Sequence, residues 1–587
     1  MGSLSAGLIT LTLLYVASRL WHLNYNYRAA RATGLPMVIC PYDPDSVFHA
    51  ILSVPLRPVF RFLLPSPLFA IVELSIWGWE FRDKAAIHEK LGPAFIFVTT
   101  GLNRLVCADP YMAHAIMMKR KDFVHTEITY KAMGFLGANI ITAKDDSWSR
   151  QRRIVAPALS ERISQEVWTE SMEQASSLVN TLLLPSTSHS AEKGSEAITG
   201  LRAIAMNVLV RIAYGYSKPF SLPHSSAQPS ARVSYVDAIS LCTELLVLAA
   251  FIPGILLRLP IMPRLLQTLG AAVKQLPDLT RDMLDQERSN SSSTLSNGRS
   301  TIMSTLVCLS DQGKDKSLKE SRFPVEMNHQ KTEASSTGSL YLTEEEIVGN
   351  LFIFTAAGFD TTANTMSYAI TLLAAYPEWQ TWIQAEIDTV LGDSLGGIDG
   401  KSPLPEYRTV FPKMKRCLAV MLETLRLYPP VTLLMRSTTT PQKIPFEHSS
   451  TTSFHLPAPC TVYVNTVALH TSSSIWGPDA LEFNPSRWLR PVSGEGAELE
   501  LVAPPPGTYL PWSVGPRTCP GQKMSQVEFV AVIVTLFRRC TAQPIVRIGE
   551  SMQQAKQRLL DLTQDSQAGL TLQMNQPKEV TLKWKKR

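Results

Sequence analysis

The 587-residue sequence contains few cysteines and few charged residues. Its eight cysteines are widely spaced and none forms a Cys-x-x-Cys pair, which argues against a disulfide scaffold or a zinc site and fits a reducing compartment. Charged residues make up 18% of the chain, below the ~25% that is usual for soluble domains, and the mean hydropathy is slightly positive. These values predict that some apolar surface meets a membrane.

The sequence also lacks a cluster of basic residues. The net charge is +6, and apart from the basic tail at 576–587 the basic residues are scattered, so nucleic acid is not an expected partner. No repeat of 20–50 residues is present, which excludes a solenoid. No Gly-x-Gly-x-x-Gly segment follows a strand, so the chain carries no flavin or nicotinamide domain of its own. Hydrophobic residues at 45% are ample for a large core.

An uncharged apolar run at residues 4–18 begins the chain, and Arg19, Trp21 and Arg28 follow it. The run is slightly shorter than the ~20 residues of a membrane-spanning helix, although the next residues can extend it. Basic residues come after the run rather than before it, which differs from a secretory signal and leaves the rest of the chain in the cytosol. We expect residues 1–21 to form an N-terminal membrane anchor, and a cleaved signal is the alternative.

A second apolar stretch, residues 48–79, contains four prolines and several charged side chains. These residues make an uninterrupted membrane span improbable. Interfacial helices or a short membrane contact are expected, and a buried segment of the domain fits equally well. The region 22–89 is therefore assigned as membrane-proximal apolar and linker sequence.

Serine-rich segments interrupt the remainder of the chain. Residues 185–199 and 221–232 are predicted loops. The longest such segment, 289–340, has too little apolar surface near its start to offset the entropy of ordering, and we predict that it is a disordered insert.

A long helix is predicted from Leu342 onward. Thr343 followed by Glu346 forms a capping box, and an apolar run continues to Ala375 before Tyr376 and a proline end it. Such a helix has about 33 residues and is roughly 50 Å long, enough to cross a domain. Further helices are predicted over 412–427 and from about 520, and short strands over 453–465. The expected fold class is mainly α with small β-sheets.

The segment 511–521, Pro-Trp-Ser-Val-Gly-Pro-Arg-Thr-Cys-Pro-Gly, contains the most informative cysteine. Cys519 directly precedes a predicted helix, where free amides and the helix dipole favour a thiolate. A thiolate there can serve as a nucleophile or as a metal ligand. Local chemistry alone leaves a buried inert cysteine equally plausible.

The spacing in this segment resembles the haem-binding loop of the cytochrome P-450 family, F-x-x-G-x-R-x-C-x-G. Gly515, Arg517, Cys519 and Gly521 match the pattern, and Trp512 replaces its phenylalanine. The indole N–H of Trp512 is expected to add a hydrogen-bond donor toward the thiolate.

Four further segments resemble motifs of the same family and occur in the family's order. They are Trp148-Ser149-Arg150-Gln151-Arg152, Ala357-Gly358-Phe359-Asp360-Thr361-Thr362, Glu423-Thr424-Leu425-Arg426 and Phe483-Asn484-Pro485-Ser486-Arg487-Trp488. In the last segment Ser486 and Trp488 depart from the family's Glu and Phe. The resemblance covers a catalytic domain at 90–575, with the haem between the long central helix and the cysteine loop.

The resemblance implies a set of residues that bind haem b. Cys519 would be the axial ligand of the iron, and Gly521 would let the backbone approach closely. The haem propionates would be bound by aromatic and basic side chains, namely Trp148, Arg152, Arg436 and Arg517.

The resemblance also implies roles for residues away from the haem ligand. Asp360 and Thr361 would be the catalytic acid and alcohol that deliver protons to bound dioxygen. Glu423, Arg426 and Arg487 would form a buried charge network that stabilises the fold. An apolar substrate pocket is expected from Phe135, Leu136, Ile140, Phe354, Ala357, Val431, Leu433 and Leu434.

The function implied is that of a monooxygenase in the endoplasmic reticulum membrane, facing the cytosol, of the fungal type that serves specialised metabolism. Its substrate would be a lipophilic small molecule. Electrons would come from a separate NADPH–cytochrome P-450 reductase, with cytochrome b5 as a second donor. A same-fold enzyme of rearrangement or dehydration and a non-enzymatic haem-binding receptor are the alternatives.

Overall fold

The structure is a computed structural model that describes residues 2–159, 161–184, 195–222, 235–291, 301–322, 341–392, 405–445, 453–492 and 499–587. It is mainly helical with small sheets, as the sequence predicts. The helices of the first half are α1 (Gly2–Arg31), α2 (Val47–Leu63), α3 (Ser66–Glu73), α4 (Trp79–Asp83), α5 (Ala86–Leu91), α6 (Pro110–Met118), α7 (Glu127–Met133), α8 (Asp145–Ala158), α9 (Ser164–Leu183), α10 (Glu196–Tyr214), α11 (Tyr235–Glu244), α12 (Leu246–Phe251) and α13 (Gly254–Leu257).

The remaining helices include the 32-residue helix Glu344–Ala375. They are α14 (Arg264–Ser291), α15 (Ile302–Arg322), α16 (Glu344–Ala375), α17 (Pro377–Leu391), α18 (Tyr407–Val410), α19 (Lys415–Leu427), α20 (Thr466–Thr471), α21 (Ser473–Trp476), α22 (Gln522–Arg539) and α23 (Met552–Gln564).

The strands are short and form one five-stranded sheet and several pairs. They are β1 (Met37–Ile39), β2 (Ala94–Val98), β3 (Asn103–Cys107), β4 (Leu433–Thr438), β5 (Gln442–Pro445), β6 (Ser453–Leu456), β7 (Cys460–Asn465), β8 (Leu489–Pro491), β9 (Leu499–Leu501), β10 (Cys540–Pro544), β11 (Ser566–Ala568), β12 (Leu572–Met574) and β13 (Leu582–Lys586). The large sheet has the order β1-β2-β3-β7-β4, and the pairs are β5–β6, β8–β9, β10–β13 and β11–β12.

The central helix α16 follows its prediction closely. Thr343 caps it with Glu346 in a reciprocal capping box, and Tyr376 ends it before Pro377 begins α17. The helix packs against α10, α19 and α23, and nearly all of its side chains are buried. Gly349 is required at its position, because a Cβ atom there would lie 2.4 Å from the carbonyl oxygen of Ala138.

Helix α22 provides the second wall of the core. Its predicted apolar stripe of Met524, Val527, Val530, Val534 and Phe537 is fully buried. The helix packs mainly on α9, which in turn packs on α10. Because α10 also lies along α16, these four helices form one continuous hydrophobic core.

The predicted disordered insert at 289–340 is wrong for the residues that the structure describes there. Helix α14 runs on to Ser291, and α15 occupies Ile302–Arg322. Ile302 and Leu306, one helical turn apart, are buried in the main core, and Ser310 donates a hydrogen bond to the carbonyl of Leu342 at 2.5 Å. The serine-rich composition of the segment concealed this apolar face. Residues 292–300 and 323–340 lie outside the described residues, as do most of the two shorter predicted loops.

The apolar N-terminal region forms helices whose hydrophobic side chains are largely exposed. In α1, Leu8 is 68% and Leu11 is 67% exposed, and at the end of α2 Phe62 is 88% exposed. Within the described residues, one helix is long and apolar enough to cross a membrane by length and composition, α10, and 72% of its apolar window is buried in the protein. Helix α10 is therefore a core helix, and the predicted anchor at 1–21 stays a prediction.

A buried charge network connects α19 to the segment before β8. Arg426 donates two hydrogen bonds of 2.8 Å to the Glu423 carboxylate, and both side chains are fully buried. Arg487 donates to the same carboxylate at 3.0 Å, and the indole N–H of Trp488 donates at 2.9 Å. Trp488, which departs from the family's phenylalanine, thus contributes a donor that phenylalanine lacks.

Replacing Trp488 by phenylalanine is expected to destabilise the protein by about 1.5–3 kcal/mol, because one hydrogen bond to a buried carboxylate is lost. The measurement is the free energy of unfolding from urea titration. Trp382→Phe is the matched control, since Trp382 packs on the same small cluster without hydrogen bonding to Glu423. Equal destabilisation by the two substitutions would show that the Trp488 indole donor contributes nothing.

Candidate active site

The loop that carries Cys519 is held in shape by its own backbone. The Cys519 amide donates to the carbonyl of Trp512 at 2.9 Å, and the Thr518 amide donates to the carbonyl of Gly515. Gly515 has a φ of +78°, and a Cβ atom there would lie 2.9 Å from the carbonyl oxygen of Met117. Both the backbone conformation and the close contact require glycine at this position. The loop therefore presents Cys519 immediately before the N-terminus of α22.

Cys519 faces open space although protein surrounds it. Its side chain is exposed, yet burial raises the pKa of the thiol above its ordinary value. The backbone amides of Gly521 and Gln522 and the charge of Arg152 act in the opposite direction. The Cys519 sulfur is therefore surrounded by protein yet accessible, as a ligand-binding side chain must be. A cation bound against this sulfur would deprotonate the thiol, so the position suits a thiolate ligand.

Helix α16 has one local opening in its otherwise buried surface. Ala357 is exposed, and Gly358 and Thr361 are half-buried, while their neighbours along the helix are buried. Residues at i, i+1 and i+4 lie on one face of a helix, so these three positions share one opening. The Thr361 hydroxyl donates to the carbonyl of Ala357 at 2.7 Å.

Asp360 points away from Thr361 and is bound by other elements. The guanidinium of Arg202, on α10, lies 3.3 Å from its carboxylate, and the hydroxyl of Thr571 donates to its second oxygen. The structure therefore does not join the predicted acid–alcohol pair by a direct hydrogen bond.

Arg202 is a functional candidate that sequence reasoning missed. Besides Asp360, it hydrogen bonds to the side-chain oxygen of Asn364 at 3.2 Å and lies 4.0 Å from the carboxylate of Glu244. Its guanidinium also lies over the ring of Phe359 at 4.8 Å. Arg202 is 158 residues from Asp360 and belongs to no recognised motif, so no pattern in the sequence could have identified it.

A second group of basic side chains contains Arg436 and Arg517. Arg517 donates to three backbone carbonyls, those of Ile140, Ile141 and Ala143. Burial and the charge of Arg517 lower the pKa of Arg436 to about 10, which shows that two cations share a poorly solvated region.

Two further side chains complete this group: His125, which was not predicted, and Trp148, which was. His125 lies 3.3 Å from a guanidinium nitrogen of Arg436, and burial together with the two arginine charges lowers the pKa of His125 to about 2. Trp148 lies between two guanidinium groups, that of Arg120 at 4.4 Å and that of Arg517 at 5.1 Å.

The basic group lacks a negative partner in the described part of the chain. Neither Arg436 nor Arg517 forms an ion pair there with a carboxylate, and the buried Arg517 Nε and Tyr130 hydroxyl have no hydrogen-bond partner. Buried cations and unpaired donors are costly, so the group is suited to an anionic ligand. These residues suit the two propionates of a haem, and the exposed Cys519 sulfur suits its iron.

Arg152 and Gly521 lie at the cysteine loop. Arg152 donates to the carbonyl of Thr518 at 2.9 Å, and its charge acts on Cys519. A Cβ atom at Gly521 would lie 3.8 Å from the Cys519 sulfur, an ordinary van der Waals distance, so the contacts in the structure do not themselves require glycine there. One sequence expectation is wrong, because the indole N–H of Trp512 donates to the Ser525 hydroxyl at 3.2 Å and not toward the thiolate.

Part of the expected substrate pocket comes together in space. Phe135, Leu136 and Leu570 pack on one apolar cluster with α11, α14 and the Ala356 side of α16. Val431 is 41% exposed, whereas Leu433 and Leu434 are buried. The structure therefore collects segments that are more than 400 residues apart into one apolar region beside the opening in α16.

Comparison with known proteins agrees with these features. A family model for cytochrome P450 matches residues 67–566, which include α16, α19 and the Cys519 loop. The chain is 30% identical to the phomenoic acid biosynthesis cluster cytochrome P450 monooxygenase of Leptosphaeria maculans, over 96% of each chain.

Cytochrome P450 monooxygenases of two other fungi are also similar to this chain. The protein of Arthrobotrys oligospora is 26% identical over 97% of this chain and 96% of its own, and that of Penicillium rubens is 26% identical over 90% of each. Because the family match spans most of the sequence and includes Cys519, the chain belongs to the cytochrome P450 family of haem-thiolate monooxygenases.

Proposed function

We propose that this monooxygenase binds haem b through Cys519 and oxidises a lipophilic small molecule of specialised metabolism at a membrane surface. The observation that carries the proposal is the enclosed but exposed Cys519 sulfur at the N-terminus of α22. The fungal relative from a biosynthesis cluster supports specialised metabolism as the context. Electrons come from an NADPH–cytochrome P-450 reductase, with cytochrome b5 as a second donor.

The residues around the proposed haem divide into two tasks. Cys519 would ligate the iron, and Arg436, Arg517, Trp148 and Arg152 would hold the propionate edge. Fork-shaped guanidinium groups suit this task because they match carboxylate geometry. Bound haem supplies the activation of dioxygen, and the protein positions the substrate and manages protons.

Asp360 and Thr361 are proposed to deliver protons at the opening in α16. The Thr361 hydroxyl lies at the opening and can exchange its bond to the Ala357 carbonyl for a bond to a water molecule. Asp360 is held by Arg202 and Thr571, so it must leave Arg202 to pass a proton toward Thr361. The second carboxylate near Arg202, that of Glu244, can receive the guanidinium at that moment.

Three exposed apolar surfaces support attachment to the endoplasmic reticulum membrane, with the catalytic domain in the cytosol. The first is α1, whose side chains from Leu8 to Leu20 are exposed, and the second is the end of α2 with Phe62. The third contains Ile255 and Ile261, which are 71% and 86% exposed. Large exposed apolar patches are rare on soluble monomers and mark membrane or protein contacts.

Replacing Cys519 by alanine is expected to abolish the red-shifted Soret band that thiolate-ligated haem gives with carbon monoxide after reduction. The measurement is the carbon monoxide difference spectrum of the purified protein. Cys540→Ala is the control, because Cys540 is buried at the far end of α22 and should keep the band. Retention of the band in Cys519→Ala would refute the assignment of the ligand.

Replacing Asp360 by asparagine is expected to lower kcat by about 10²-fold or more while the carbon monoxide band stays unchanged, because proton delivery is lost and haem ligation is not. The measurement is NADPH-supported turnover with its solvent isotope effect. Asn364→Ala, which removes another partner of Arg202 without removing a titratable group, is the control. Parallel loss of turnover and of the band in Asp360→Asn would mean that Asp360 is structural.

Deleting residues 2–18 is expected to release part of the protein from membranes and to leave the carbon monoxide band intact, since this part of α1 makes no contact that the haem site needs. Vesicle flotation measures the bound fraction. Adding Phe62→Ser and Ile261→Ser should release the remainder. Full retention by the combined variant would place the membrane contact elsewhere.

A further inference from the structure

A cavity of about 350 Å³ lies between the second half of α1 and the edge of the large sheet. Its walls come from α1, from β2 and the turn that follows it, and from the loop between β6 and β7. None of its lining residues belongs to the cysteine loop, α16 or the basic group around Arg436. The cavity is therefore separate from the proposed catalytic site and goes beyond the function proposed above.

Hydrogen bonds fix α1 against the sheet beside this cavity. The Asn26 side chain donates to the carbonyls of Thr99 and Gly101 at 2.9 and 2.7 Å. The Asn103 side chain donates back to the Asn26 carbonyl at 2.8 Å. Two asparagines thus bind helix and sheet reciprocally. The helix cannot move inward to close the space without breaking these bonds, so the cavity is built into the fold.

The cavity has a polar rim and an apolar interior. Arg19, His22 and Tyr25 line it from the exposed or half-buried side of α1. The buried lining is mainly apolar, with Ala30, Ile96, Leu456 and Cys460 each 1% exposed, and it also includes the polar residues Thr33, Thr100 and Asn103. In the described residues Arg19 forms no ion pair with a carboxylate, and its guanidinium lies over the Tyr15 ring at 5.0 Å. A cation at the rim and an apolar interior are complementary to an anionic amphiphile.

The size and position of the cavity further restrict which ligands it can bind. Its volume is at the small end of the ~300–1,000 Å³ that is usual for ligand sites, which suits one acyl chain rather than two. Directly before the rim, α1 exposes Leu13, Leu14 and Leu20, which are 61–64% exposed. A chain that leaves an apolar environment along this helix would meet polar side chains only at the rim of the cavity, where Arg19 can bind its head group.

We propose that this cavity binds a single-chain anionic amphiphile. The acid group pairs with Arg19 at the rim, and the acyl chain packs on Ala30, Ile96 and Leu456. A fatty acid and a lysophospholipid share this chemistry, since each carries one chain and one anionic head group. Each methylene that leaves water for the cavity contributes about 0.8 kcal/mol, so a chain of moderate length is sufficient for stable binding.

The test uses the full-length holoprotein in nanodiscs that contain a diazirine-labelled palmitate, with labelled peptides identified by mass spectrometry. Labelling is expected at 19–33, 96–103 and 456–460, the three segments that line the cavity. Ala29→Phe, which fills the cavity from α1, should reduce this labelling at least tenfold. Ala32→Phe is the matched control, because Ala32 is exposed and does not line the cavity.

A second variant tests whether the charge of Arg19 binds the head group, and competition between lipids identifies the type of ligand. Arg19→Gln should weaken competition by oleate and by lysophosphatidate while leaving competition by neutral monoolein unchanged. Stronger competition by oleate indicates a fatty acid, and stronger competition by lysophosphatidate indicates a phospholipid product. The carbon monoxide spectrum, recorded on each variant, separates loss of this site from damage to the haem site.

Three results would overturn the proposal. Labelling of 19–33, 96–103 and 456–460 that is equal in Ala29→Phe and in the protein without substitution would show that the chain lies outside the cavity. Labelling confined to 2–18 would show general contact with bilayer lipid only. Displacement of the probe by imidazole, a ligand of haem iron, would likewise place the probe in the catalytic cavity and contradict a separate site.

Discussion

The geometry of the cysteine loop depends on the hydrogen bonds that the buried carboxylate of Glu423 accepts. It accepts hydrogen bonds from Arg426, Arg487 and Trp488, so it joins α19 to the segment before β8. The Trp488 ring packs on Tyr509 with centroids 4.6 Å apart, and Tyr509 in turn contacts Trp512 at 6.5 Å. A fully buried carboxylate is tolerated only because every oxygen has a donor. The position of the loop that carries Cys519 is thus tied to a charge network that takes no part in chemistry.

The unpaired positive charge around Arg436 and Arg517 is the second constraint on the structure. Arg436, Arg517 and His125 lie together with no carboxylate among the described residues close enough for an ion pair, and the depressed pKa of His125 keeps that imidazole neutral beside the two guanidinium groups. Such a cluster lowers the stability of the protein until an anionic group enters. In the proposed site the haem propionates would meet this need, and cofactor binding and folding would then be coupled through this cluster.

The fold separates the side chains of Asp360 and Thr361, although the two residues are adjacent in the sequence. Asp360 and Thr361 are adjacent in sequence, but on a helix adjacent residues point about 100° apart. Thr361 consequently lies at the opening in α16, whereas Asp360 faces α10 and binds Arg202. Beside α1, the paired asparagines Asn26 and Asn103 hold the helix against the large sheet at the edge of a separate cavity.

Local signals in the sequence were sufficient for the elements whose boundaries depend on neighbouring residues. The capping box at Thr343, the stop at Tyr376 and the apolar stripe of α22 all predicted observed structure, because capping and periodicity act within one or two turns. The prediction from composition was wrong at 302–322, where a few apolar side chains on one face decided that α15 packs into the core.

The sequence by itself also determined the family and the identity of Cys519 as the cysteine of interest. Only the tertiary structure decided that Arg202 binds Asp360, that Trp512 donates to Ser525 and that His125 lies against Arg436. Those partners are between 13 and 311 residues apart, and the packing of whole helices, not the local sequence, brings them within hydrogen-bonding distance.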